Sequence, residues 1–162
     1  MSTASSPRAG QVAVALAGIV LIVVPLIAAG VKVASFGWLM VMLVMYLAPI
    51  PLMLIGYVLQ LVLAIRGFLR RDGYIRTAPN RARAVAAAWV TSLGALFTAF
   101  FVVDGGDQGW GSTFMVWFGL ESDVAAGDVS SALSFIAGAA WVLGWVWLLV
   151  EWILAKQAAR RA

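Results

Sequence analysis

Residues 11–31 read QVAVALAGIVLIVVPLIAAGV, a run without a charged side chain. Three more apolar runs follow, at about 36–65, 84–103 and 132–154. These runs restrict the fold more than any other feature. A helix rises about 1.5 Å per residue, so roughly 20 apolar residues cross the roughly 30 Å of bilayer hydrocarbon. Each run reaches that length. Lipid offers the backbone no hydrogen bonds, so a spanning segment must be a helix or part of a closed barrel. The runs are continuous rather than alternating, which predicts helices. The expected fold class is therefore all-α: a polytopic membrane protein, a single membrane domain over residues 1–162, and a four-transmembrane-helix bundle with a short outer interfacial helix.

Composition agrees. The chain is 64% hydrophobic and 11% charged, against about 45–50% and 25% in soluble domains. It has no cysteine and no histidine. That removes disulfides, thiol chemistry, haem ligation and the usual proton shuttle. No catalytic residue, metal site or cofactor is expected. The first run follows a polar segment with one arginine, Arg8, as a signal peptide would. It exceeds the roughly 7–15 residues of a signal's apolar region, and no clean Ala-x-Ala site follows it, so a retained helix is expected.

Charge is segregated along the chain. The stretch AIRGFLRRDGYIRTAPNRARAV, residues 64–85, holds Arg66, Arg70, Arg71, Arg76, Arg81 and Arg83 against one acid, Asp72. With four spans, this loop (66–83) shares a side with both termini. Arg8, the six loop arginines, Lys156, Arg160 and Arg161 make ten of the 11 bases. The other side has Lys32 and an acidic loop, 104–130, with Asp104, Asp107, Glu121, Asp123 and Asp128. Basic residues gather in cytoplasmic loops, so the expected location is the cytoplasmic (plasma) membrane with both termini cytoplasmic. The arginines set orientation, and they are candidate contacts for anionic lipid head groups of the cytoplasmic leaflet. Nucleic acid is not expected, because the loop has few aromatics, Phe68 and Tyr74, and single-stranded RNA readers interleave several with their basic residues. The abundance of Ala, Val and Gly, with arginine outnumbering lysine, suits a GC-rich bacterial coding sequence.

Features inside the spans suggest roles. The second run is about 45 Å long as a helix, more than the hydrocarbon holds upright. Pro49 and Pro51 are candidate kink residues, since proline removes an N–H donor and clashes with the preceding turn. The end of this span, near Gln60 to Leu69, is then expected to run toward or along the cytoplasmic interface. Met40, Met42, Met45 and Met53 read as packing rather than copper ligands, because no histidine or cysteine accompanies them. In the third run, Ala87, Thr91, Ala95 and Ala99 recur every four residues, a candidate helix-packing face of small side chains. A second row, Ala84, Ala88 and Ser92, lies beside it. In the fourth run, Trp141, Trp145 and Trp152 share a helical face and form a candidate aromatic slot. Glu151 is expected to pair or snorkel near Lys156 and Arg160.

In the outer loop, Trp110, Phe114, Trp117 and Phe118 have helical spacing, predicting a short interfacial helix over 112–120 capped by Ser112 or Thr113. DGGDQG lacks the ligand spacing of an EF-hand. The leading functional expectation is a non-enzymatic accessory, assembly or interaction subunit, with a larger membrane-protein partner or a homo-oligomer. The alternatives are a small oligomeric channel or carrier with a proline-broken second helix, and a membrane enzyme using Asp104, Asp107 or Glu121.

Overall fold

The computed structural model describes residues 7–33, 49–106 and 109–161. Helix α1 spans Pro7–Val33, α2 spans Pro49–Leu63, and a π-helix continues α2 over Ala64–Leu69. A short α3 (Tyr74–Thr77) leads into α4 (Arg81–Phe101). Two strands, β1 (Asp104–Gly106) and β2 (Gly109–Gly111), pair antiparallel with Gly105 opposite Trp110. Helix α5 (Thr113–Trp117) and the long α6 (Val124–Arg161) complete the chain. Four stretches are long and apolar enough to cross a membrane: Gly10–Val33, Met53–Thr77, Arg81–Phe101 and Val124–Arg161.

Helix α4 lies between α1 and α6 and packs along both. Its inward side is built from small residues, which let backbones approach closely where lipid supplies no hydrophobic drive between helices. Ala84, Ala87, Ala88, Thr91, Ser92, Gly94 and Ala95 are buried, whereas Ala99 is half-buried. Two glycines set the α4–α6 distance. A Cβ on Gly94 would fall 2.6 Å from the backbone nitrogen of Trp141, and one on Gly144 would fall 2.8 Å from that of Thr91. The core beside this seam joins Val14, Ala17 and Leu21 of α1 to Ala64 and Phe68 of the π-helix, Ile75 of α3 and Leu148 of α6. Outward side chains are apolar along the spans, as with Leu26 of α1, Val58 of α2 and Leu143 of α6, all exposed.

The structure departs from the sequence-based expectation in three places. The all-α class omits the β1–β2 hairpin, a glycine-rich segment whose side chains carry little strand signal. Helix α6 begins at Val124, eight residues before the apolar run at 132, because Asp123 caps it by accepting from the N–H of Ala126 at 2.8 Å. Finally, Glu151 pairs away from Lys156 and Arg160, as detailed below. In the segment from Gln60 to Leu69 one side is buried, with Gln60 5% exposed and Phe68 fully buried, while Ile65 and Arg66 stay exposed. The π-helix turns Ala64, Gly67 and Phe68 inward. The bend expected at Pro49 and Pro51 turns on residues 45–48, which lie outside the described residues, as do Met40, Met42 and Asp107. From Pro49 onward α2 is helical, with both prolines in its first turn.

Candidate functional site

Pro25 lies inside α1. Having no N–H, it leaves the carbonyl four residues earlier, that of Leu21, without its helical donor. Gln60 of α2 supplies one: its side-chain N–H donates to Leu21 O at 2.9 Å. Tyr57, one turn earlier, donates its hydroxyl to Ile22 O at 3.1 Å. The oxygen of the Gln60 amide in turn accepts from Trp145 Nε1 of α6 at 3.1 Å. One glutamine thereby ties three helices at the break in one of them. Neighbouring side chains re-satisfy proline-freed backbone in lipid-embedded helices in just this manner.

A second polar centre lies where α4 begins. Glu151 of α6 is fully buried. Its Oε1 accepts from Trp147 Nε1 at 2.9 Å and pairs with Arg83 Nη2 at 2.8 Å, while Oε2 accepts from Asn80 Nδ2. Asn80 occupies the N-cap position of α4, yet its side chain reaches to α6 instead of capping its own helix. The Arg83 side chain is 65% exposed, so its stem leads from the buried carboxylate out to solvent. Lys156, expected beside Glu151, lies over the Trp152 ring at 5.3 Å. The indole N–H of Trp152 is buried with no hydrogen-bond partner among the described residues.

At the opposite end, Lys32 is buried, pairs with Asp104 at 3.4 Å and donates to Val102 O at 3.4 Å. The only base predicted to share a side with the 104–130 loop thus meets an acid of that loop. There Ser112 caps α5, accepting from Met115 N at 3.2 Å, and shares a 2.6 Å hydrogen bond with Ser130 of α6. Rings of Phe100, Phe101, Phe114 and Trp117 pack edge-on or tilted, and Trp117 and Phe118 stay exposed.

The predicted site residues have different settings. Trp145 bonds to Gln60, Trp152 lies near Gly67, and Trp141 is exposed. Of the loop arginines, Arg83 joins Glu151, Arg76 donates to Leu69 O at 3.3 Å, and Arg81 rests against Gly10 of α1. Arg66, Arg70 and Arg71 are exposed. The pairing of Pro25 with Gln60 was missed from the sequence. The available signal was a proline in one apolar run and a lone amide in the next. Comparison with protein-family models, curated proteins and solved structures finds no match to this chain.

Proposed function

We propose that this chain is a non-enzymatic integral membrane protein of the bacterial cytoplasmic membrane, an accessory or assembly subunit acting through its helix faces and two charged loops. In this reading both termini and the arginine loop are cytoplasmic, and α5 lies at the outer interface. One observation carries it. Two polar side chains buried between the helices each bond to several partners: Gln60 to Leu21 and Trp145, and Glu151 to Asn80, Arg83 and Trp147. Such groups fix the mutual placement of helices. The broad apolar faces of α1, α2 and α6 remain outward, available to lipid or to a larger membrane protein.

The channel reading turns on the break at Pro49 and Pro51, whose freed carbonyls at Met45 and Leu47 lie outside the described residues; at the other proline break, that of Pro25 in α1, the Leu21 carbonyl is taken by Gln60 rather than turned to a path. The enzyme reading loses part of its basis where Asp104 is engaged by Lys32. Purification in mild detergent at native expression, with mass spectrometry of the product, tests the proposal. A larger membrane protein at constant stoichiometry is expected. A closed ring of like chains that conducts ions in liposomes would replace this reading with the channel.

A further inference from the structure

Three of the six loop arginines, Arg76, Arg81 and Arg83, are engaged inside the fold, as described above. Arg66 and Arg70 have a different setting. With Asp72 and Tyr74 they line a pocket of about 140 Å³. Arg66 belongs to the π-helix, and Arg70 follows it with extended backbone. The chain then doubles back so tightly that a Cβ on Gly73 would fall 2.5 Å from the carbonyl oxygen of Gly67. That close approach, open only to glycine, brings Tyr74 to the wall facing the two arginines. Asp72 Oδ1 lies 3.4 Å from Arg70 Nε, leaving the other donors of that guanidinium for a ligand.

Two further observations identify the ligand. First, Arg66, Arg70 and Asp72 together carry one net positive charge, which matches the single negative charge of a phosphodiester. Second, the pocket stands at the end of an apolar stripe on the same helix. Leu54, Val58, Leu61 and Ile65 fall at i, i+4, i+7 and i+11, one face, and Leu54, Val58 and Ile65 are exposed. Ile65 immediately precedes Arg66. A free anion has no use for such a stripe, whereas an acyl chain does.

We infer that this pocket is a discrete site for an anionic phospholipid. The phosphodiester sits between Arg66 and Arg70 and accepts from the Tyr74 hydroxyl, and one acyl chain runs along Leu54, Val58 and Ile65. The inference rests on the reading that the arginine loop faces a bilayer surface.

Native mass spectrometry of the full chain in detergent tests it, with phosphatidylglycerol, phosphatidylcholine and inorganic phosphate as probes. The unaltered chain should retain phosphatidylglycerol over phosphatidylcholine. Arg66→Gln with Arg70→Gln should weaken retention roughly tenfold, and Arg71→Gln, outside the pocket, should change it by less than about twofold. Tyr74→Phe should lose about threefold, and it decides the matter if the double variant misfolds: an unchanged affinity there overturns the site. Equal losses in Arg71→Gln and the double variant would mean diffuse attraction, overturning the discrete site while the loop's membrane-facing reading stands. Displacement of the lipid by inorganic phosphate would make this a free-anion site and overturn the lipid assignment. If the unaltered chain shows no preference for the anionic lipid, the membrane-facing reading itself falls.

Discussion

Gln60 donates to the carbonyl oxygen of Leu21 at 2.9 Å, at the rung of the α1 ladder that Pro25 cannot fill. The two residues are 39 apart in the chain, and their bond converts a weak point of one helix into an attachment point for another. If that account holds, the value of Gln60 depends on Pro25. Interhelical hydrogen bonds in membrane proteins contribute about 0.6 kcal/mol on average and up to about 1.7. Gln60→Leu breaks two, so a loss of about 1–3 kcal/mol is expected. In a Pro25→Ala background the backbone supplies its own donor to Leu21, and the same substitution should cost less by about 0.5–1.5 kcal/mol. Thermal unfolding of the four chains in detergent reads that coupling, and strict additivity would disprove it.

Removal of the Glu151 carboxylate should be among the more damaging single changes. Glu151→Ala strands the indole N–H of Trp147, removes the Asn80 and Arg83 contacts to the carboxylate and empties its buried place, and is expected to cost about 2–3 kcal/mol. Arg83→Gln should cost less, roughly 1 kcal/mol, because Asn80 and Trp147 still bond to the carboxylate and Arg83 is largely exposed. Unfolding free energies that rank Arg83→Gln above Glu151→Ala would contradict this order.

The α4–α6 seam should resist any added bulk. Gly144→Ala places a methyl group 2.8 Å from Thr91 N and Thr91 Oγ1, and overpacking of this kind costs about 1–3 kcal/mol. Gly138→Ala is the internal comparison, since its Cβ would meet Thr98 at an ordinary 3.7 Å. It should be neutral or stabilising by up to about 1 kcal/mol through helix propensity. The expected result is a lowered melting temperature for the first variant alone.

Orientation is open to a direct check. A reporter active only outside the cytoplasm should be silent when fused after Ala162 and active when inserted in the 104–130 loop. Activity at Ala162 would reverse the assignment drawn from the distribution of basic residues.

The helices were legible in the sequence because lipid imposes one demand, a long apolar run, that is local in the chain. Their partners were less so. The small-residue rows of α4 pointed to a packing face, and Ala87, Thr91 and Ala95 lie buried there. Gly94 and Gly144, which set the helix spacing, belong to no such row. For Glu151 the nearest bases in sequence, Lys156 and Arg160, looked like natural partners. Neither stands at the i+3 or i+4 position that a helix brings alongside, and the carboxylate turns across the fold to Asn80 and Arg83. The Gln60–Leu21 bond was equally hidden, since a backbone carbonyl left over by proline in one span carries no mark of which side chain in another will reach it.

Helix α6 runs from Val124 to Arg161 for 38 residues without a proline, about 57 Å at the usual rise. Crossing a bilayer core takes only about 30 Å. The same continuous rod therefore carries the contact with Trp110 near its start and the basic C-terminal turn at its end. The ring of Trp110 rests on Gly127 and Arg83 pairs with Glu151, so two distant parts of the fold are referred to one unbroken helix.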